Sequence, residues 1–162
     1  MEAPRGRVKG RQYESQLAHV CSRLNHHRAH YVVVGARALQ LWGTTRATKD
    51  IDILIERTVP NARRVLAALT EVGLGLAGEW AAEEVAKKAV TIVGDTPRVD
   101  ILTVAWALHY QEARKDAKVF TLEGVKIPTA SIDHLIKSKR TGRPQDVADI
   151  LVLEEIKRRS NL

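Results

Sequence analysis

Three aspartates are the residues of this chain whose types and positions predict metal chemistry. Asp50 and Asp52 stand one residue apart in the isoleucine-rich run "KDIDILIE", and Asp100 lies in a second apolar run, "RVDILTV". Alternate side chains of a strand share a face, so the first two carboxylates project together from Cα atoms about 6.6 Å apart. Carboxylates this close repel one another unless a proton or a divalent cation relieves the repulsion. Mg²⁺ accepts a few carboxylates together with phosphates and water, and Asp100 is the candidate third ligand if its strand is a neighbour.

A glycine before the aspartates predicts a seat for phosphate. The run "HYVVVG" predicts a short buried strand that ends at Gly35, and "ARALQLW" predicts the helix that follows. Backbone N–H groups at a helix N-terminus bind phosphate, and glycine lets a ligand approach the backbone closely. Neither a G-x-G-x-x-G nor a Walker sequence is present, which disfavours the nucleotide-binding folds built on those motifs.

The elements that must position these residues follow from periodicity. Apolar residues at helical spacing predict a helix from Tyr13 to about Arg28 with Cys21 on its apolar side, and two helices over 132–141 and 144–159 end the chain. Further helices are predicted over 36–42 and 61–73, and strands over 30–35, 49–56, two within 89–104 that turn at 94–97, and two within 117–129. This order predicts an α+β fold in which helices flank a small mixed β-sheet.

Length and composition predict one domain over residues 12–162, preceded by a basic arm, residues 1–11, that we expect to be disordered. No apolar run approaches the roughly 18 residues that a membrane span requires, and no apolar stretch of a secretory signal follows the basic start. A cytoplasmic protein without a membrane partner is therefore expected. The single cysteine excludes an internal disulfide.

The net charge of +7 favours polyanionic partners such as nucleotides, RNA or DNA. A solvated basic surface is the alternative, and composition does not decide between the two.

Together these motifs resemble the nucleotidyltransferase superfamily, whose members have the polymerase-beta-like fold. Its signature is a hydrophobic residue followed by Gly-Gly or Gly-Ser, a spacer, and then Asp-x-Asp between hydrophobic residues. Gly35-Ala36 and Asp50-x-Asp52 stand at those places, with alanine replacing the second glycine or serine. The stretch "GARALQLWGTTRATKDIDILIE" is especially similar to small bacterial nucleotidyltransferases grouped near the AbiEii-type toxins.

Two further motifs extend the resemblance from about Tyr31 to Leu153. Arg46 and Thr48 with the following aspartate match an Arg-x-Thr-x-Asp motif, and Lys139 with "GRPQD" matches a late motif in which a helix lysine precedes Gly-Arg-Pro-x-Asp. Lys139 and Arg143 are four residues apart, so we expect them on one face of a helix, as a pair of phosphate-binding cations.

The resemblance implies transfer of a nucleoside monophosphate from an NTP, such as ATP or GTP, to a hydroxyl or phosphate acceptor, with release of pyrophosphate. It implies that Asp50 and Asp52 bind two Mg²⁺ ions and that Asp100 holds the ion that activates the attacking hydroxyl. It also implies a set of nucleotide-binding residues, namely Gly35, Ala36, Arg46, Thr48, Lys139 and Arg143.

Two questions stay open on the sequence. The first is the acceptor, which is RNA or tRNA, a protein or a small molecule. The second is whether the protein is an enzyme. The alternative is a catalytically inactive module that binds nucleic acid or forms one component of a toxin–antitoxin pair. Asp146 and Asp149, three residues apart on the last helix, are expected in a surface salt-bridge pattern rather than in the site.

Overall fold

The computed structural model describes residues 13–160, so the predicted disordered arm, residues 1–11, lies outside the described residues. Its helices are α1 (Gln16–His26), α2 (Gly35–Trp42), α3 (Val59–Glu71), α4 (Ala82–Lys87), α5 (Tyr110–Ala113), α6 (Ile132–Ser138) and α7 (Pro144–Ser160), with a 3₁₀ helix at Gly75–Glu79. Its strands are β1 (Tyr31–Val34), β2 (Asp50–Ile55), β3 (Val90–Val93), β4 (Arg98–Leu102), β5 (Lys118–Leu122) and β6 (Val125–Thr129). The predicted α+β class with a mixed sheet is confirmed.

The six strands form one sheet in the order β3-β4-β2-β1-β6-β5. β2 and β4 run parallel, β1 and β6 run parallel, and the other neighbouring pairs are antiparallel. Burial of apolar side chains holds the two central strands, β1 and β2, in the core: all four residues of β1 are buried, as are Ile51, Ile53 and Ile55 of β2.

Period two in β2 separates its two faces as the sequence predicts. Ile51 and Ile53 are fully buried, whereas Asp50 and Asp52 on the opposite face are partly exposed. Strand β2 therefore buries its isoleucines and leaves its two carboxylates on a face that solvent reaches.

The end of α6 differs from its prediction. The helix stops at Ser138, with Lys139 as its C-cap, and Gly142 lies in the following loop at φ +84°. Arg143 precedes Pro144, which disfavours helical backbone at the residue before it. The expectation that Lys139 and Arg143 share one helix face is therefore wrong, because a loop separates them.

Three short helical segments were not predicted: the 3₁₀ helix, α4 and α5. None exceeds six residues, which is too short for a 3.6-residue period to be read from the sequence.

Cys21 lies in the core as predicted. Burial raises the pKa of its thiol to about 12, so the thiolate that a nucleophile requires does not form near neutral pH. No helix in the described part of the chain is both long and apolar enough to cross a lipid bilayer.

Candidate functional site

The structure brings the three predicted aspartates to one face of the sheet. β2 and β4 are parallel neighbours, and Asp52 stands in register with Asp100 across them. Asp50 is two residues away on β2, in register with Arg98. Neighbouring strands lie about 4.8 Å apart, so the carboxylates of Asp52 and Asp100 share a small volume.

Arg98 is a member of this cluster that sequence reasoning missed. Its guanidinium donates to both carboxylate oxygens of Asp100, at 2.8 and 3.2 Å, and its Nε lies 4.0 Å from Asp50 Oδ2. The hydrogen bond with Asp100 raises the pKa of Arg98. Its position two residues before Asp100 was the available signal, because period two places both side chains on one face of β4.

Ionisation of Asp52 is unfavourable within this cluster. Burial raises the pKa of its carboxyl, the charges of Asp100 and Asp50 raise it further, and the result is a pKa of about 6 despite the opposing charges of Lys139 and Arg98. Lys139 and Arg98 therefore do not fully offset the burial of the Asp52 carboxyl and its repulsion by the other two aspartates.

Gly35 holds the turn from β1 to α2 directly against Asp52. Its φ is +68°, in the left-handed region, and a Cβ built on it would lie 2.1 Å from Asp52 Oδ2. A side chain at this position would fill the space that the carboxylate occupies. Within the described residues, no side chain caps α2, so the N–H groups of its first turn are available to an anion beside the carboxylates.

The predicted nucleotide-binding residues all line one cleft. This polar cleft, with a volume of about 300 Å³, is lined by Gly35, Ala36, Arg46, Thr48, Asp50, Asp52, Lys139, Arg143, Gln145 and Asp146. A second cleft of about 250 Å³, which we call the Trp106 cleft, shares Gly35, Asp52, Lys139, Arg143 and Asp146 with it and adds apolar residues. The two clefts therefore adjoin one another at Asp52.

A larger groove of about 510 Å³ lies between α6 and α7, and its lining includes none of the three aspartates. Lys137, on α6, lines this groove. Its ammonium lies 2.8 Å from each carboxylate oxygen of Glu112. We therefore assign the site to the polar cleft, which contains Asp50 and Asp52 and lies beside Asp100, rather than to the larger groove.

Asp146 and Asp149 are not in a surface salt-bridge pattern, and that prediction is wrong. Their exposed fractions are 7% and 5%, and Lys139 Nζ lies 3.0 Å from Asp149 Oδ2 and 3.5 Å from Asp146 Oδ1. Arg46 hydrogen bonds to Asp149. Buried charge requires paired charge, so the acidic pair and the cations of the cleft stabilise one another.

Asp146 also anchors the loop after α6. It accepts hydrogen bonds from the Thr141 hydroxyl, at 2.5 Å, and from Arg143 Nε, at 2.8 Å. Burial raises the pKa of Asp146, but the Thr141 hydrogen bond and the charges of Lys139 and Arg143 outweigh it and lower the pKa overall. This carboxylate therefore stays ionised and pairs with the buried Lys139 and with Arg143 at the rim of the cleft.

No family model and no curated protein matches this chain. The resemblance to nucleotidyltransferases therefore rests on its motif residues alone.

The donor set fits Mg²⁺ in chemistry. Three carboxylates supply hard oxygen atoms, and a divalent cation would offset both causes of the raised pKa of Asp52, its burial and the charges of Asp100 and Asp50. Among residues 13–160, however, no group of three His, Cys, Asp or Glu side chains is already arranged around one ion position. Arg98 occupies the oxygens of Asp100, and its side chain, 41% exposed, has room to leave them.

We expect Asp149→Asn to destabilise the protein by about 2–3 kcal/mol, because Lys139, 11% exposed, would lose its nearer carboxylate while remaining buried. Urea unfolding measures the effect. Asp133→Asn is a matched control, since Asp133 also pairs with a lysine, Lys157, at 2.7 Å, but with both side chains largely exposed. That change should alter the free energy of unfolding by less than about 1 kcal/mol. Equal effects of the two substitutions would contradict the structural role assigned to the buried ion pair of Lys139 with Asp149.

Proposed function

We propose that this protein is a magnesium-dependent nucleotidyltransferase that transfers a nucleoside monophosphate from an NTP to an acceptor. The observation that carries the proposal is the register of Asp52 with Asp100 on parallel neighbours, with Asp52 packed against Gly35 at the start of α2. This arrangement places a carboxylate cluster beside a helix N-terminus, the two elements that a metal-bound triphosphate requires.

Most groups of the polar cleft, together with Asp100 beside Asp52 on β4, have a part in such a reaction. Asp50, Asp52 and Asp100 would hold Mg²⁺, which when bound neutralises phosphate charge and lowers the pKa of the attacking hydroxyl. The N–H groups of the first turn of α2 would bind phosphate oxygens, and Gly35 permits their close approach.

The cations complete the electrostatics of the cleft. Lys139 is already oriented by Asp146 and Asp149, and Arg46 by Asp149, so both present fixed positive charge without reorganising when phosphate arrives. Arg143, 74% exposed, stands at the rim and would meet the leaving pyrophosphate. In the reaction the acceptor hydroxyl gives its proton to solvent and its oxygen bonds to the α-phosphorus, while the bond from that phosphorus to the oxygen shared with the β-phosphate breaks and pyrophosphate leaves.

The test is incubation with each α-labelled NTP, Mg²⁺ and a panel of acceptors: total RNA, tRNA and the protein itself. We expect Mg²⁺-dependent labelling of one acceptor by the parent and none by Asp52→Asn. Labelling that is equal in the two proteins, or unchanged by a chelator, would sink the assignment.

The position of Arg98 supports a second candidate, a binding module that does no chemistry. Its guanidinium bridges Asp100 and Asp50, so a cation of the protein itself already stands among the carboxylates. Calorimetry separates the candidates: a module would bind nucleic acid with a steep salt dependence and show no Mg²⁺-dependent affinity for NTP.

Arg98→Gln tests the same question at the carboxylates. If the protein is an enzyme, this substitution should tighten the binding of Mn²⁺ to the three aspartates severalfold. Arg63→Gln, which removes an exposed ion pair on α3, should not change Mn²⁺ binding.

A further inference from the structure

Trp106 stands in an unusual turn at the mouth of the Trp106 cleft. The turn is closed by two hydrogen bonds between the backbones of Ala105 and Leu108, at 2.9 and 3.0 Å, and Leu108 is fully buried. Trp106 has φ +58°, a left-handed conformation that is unfavourable for a bulky residue and persists where the surroundings impose it. The anchored turn thereby holds a tryptophan that is 61% exposed.

The other tryptophans have structural partners. Trp42 donates its indole N–H to the Ala130 carbonyl at 2.9 Å and packs edge-on against Phe120, and the Lys88 ammonium lies 4.7 Å from the Trp80 ring centroid. Within the described residues, the Trp106 ring has neither a hydrogen bond nor an aromatic or cation contact. Strain and exposure at Trp106 are therefore not explained by packing.

The surroundings of Trp106 match the two ends of a nucleotide. Its cleft has an apolar wall, formed by Leu102, Val104 and Ala105 together with the indole. The same cleft reaches Asp52, Lys139 and Arg143, where it adjoins the polar cleft. An aromatic, apolar compartment next to a cleft that holds three cations and the carboxylates of the proposed metal site suits a ligand with a flat base and a metal-bound phosphate. At about 250 Å³ it suits one base rather than a folded polymer.

We infer that Trp106 stacks on a nucleobase and that the Trp106 cleft is a base-binding compartment beside the reacting phosphates. The inference rests on the proposed function and deepens it, because it locates the base relative to the three aspartates. The base belongs either to the NTP or to the acceptor, and stacking on an indole is common to both.

The NTP is the first arm of the test. Calorimetry with Mg²⁺ compares each of the four NTPs with inorganic tripolyphosphate, which has no base, in the parent, Trp106→Gly and Trp106→Phe. Glycine suits the left-handed backbone, so Trp106→Gly removes the ring while keeping the turn. If the base of the NTP occupies the compartment, its affinity should fall roughly tenfold or more in Trp106→Gly and largely persist in Trp106→Phe, while tripolyphosphate binds all three proteins equally.

The acceptor is the second arm. A short single-stranded RNA is compared with its abasic counterpart in the same three proteins. Preference for the base-bearing strand that disappears in Trp106→Gly places the acceptor base in the compartment. Val119→Ala, which trims another exposed apolar side chain on β5, is the control and should change neither affinity.

The outcomes separate the two proposals. Tripolyphosphate and NTP binding in the parent with no effect of Trp106→Gly in either arm would overturn the stacking assignment and leave the proposed function intact. Failure of the parent to bind NTP and tripolyphosphate would overturn the proposed function, and the RNA arm then decides the stacking assignment by itself. A parent that also fails to prefer the base-bearing strand would overturn both.

Discussion

Asp52→Asn should change activity and stability in opposite directions. We expect nucleotidyl transfer to fall on the order of 1,000-fold, because the substitution removes the carboxylate that faces both Asp100 and the start of α2. Without divalent metal, the same variant should be more stable than the parent, because ionisation of Asp52 is unfavourable in the folded state. Labelling assays measure the first effect and urea unfolding in EDTA the second. Residual activity near that of the parent would contradict the catalytic assignment.

The gain in stability should depend on pH in a defined window. The folded carboxyl has a pKa of about 6 against 3.8 for the exposed group, so the folded state retains the proton over this range while the unfolded state releases it. At low pH the protonated carboxyl of Asp52 is compatible with the folded state. As pH rises from about 4 to about 6, this contribution to the free energy of unfolding is therefore lost. The difference between variant and parent should grow across that window to about 3 kcal/mol.

Two controls separate this effect from general acid sensitivity. Asp95→Asn, an exposed aspartate in the turn between β3 and β4, should follow the pH dependence of the parent. Added Mg²⁺ should stabilise the parent above pH 6 more than it stabilises Asp52→Asn, since a ligand that binds only the folded state shifts its stability by mass action. Identical pH profiles of the parent and Asp52→Asn would contradict the electrostatic account of Asp52.

Gly35→Ala should lower both stability and activity. The added Cβ would lie 2.1 Å from Asp52 Oδ2 and 3.0 Å from its Cγ, at a residue whose φ of +68° already disfavours any L side chain. We expect a loss of about 2–4 kcal/mol, from backbone strain and from displacement of the carboxylate, together with loss of labelling. Urea unfolding and the labelling assay measure the two effects.

Gly43→Ala is the matched control for Gly35→Ala. Gly43 also has positive φ, +118°, but a Cβ there would meet nothing within 4 Å, so strain alone should cost about 1–2 kcal/mol. In an Asp52→Ala background the cost of Gly35→Ala should fall towards that of Gly43→Ala, because the clashing Cγ and Oδ2 are gone. Additive effects in this double-mutant cycle would show that the two residues do not interact.

The features that could be predicted from the sequence are those that depend on neighbours along the chain. The alternation of β2 placed Asp50 and Asp52 on one face because that period is a property of the extended backbone. The β3–β4 and β5–β6 turns were also predictable, since glycine at 94 and 124 adopts positive φ at little cost.

Helix α7 shows where such reasoning fails. Its exposed Val147, Leu151 and Val152 have the composition of a core face, whereas Asp146 and Asp149 are buried. Apolar residues occupy both sides of this helix, so periodicity does not identify its inner face. The choice is made by cations brought from elsewhere in the chain, Lys139 and Arg46, which make burial of these carboxylates favourable.

The sequence by itself determined the kinds of group available for chemistry: carboxylates on one strand face, a glycine before a helix, and a lysine and arginines near the C-terminal end. Only the tertiary structure decided which of these groups meet. The parallel register of β2 with β4 sets Asp52 opposite Asp100 and places Arg98 between Asp100 and Asp50. Contacts between residues distant in sequence depend on the packing of whole elements, and no local period encodes them.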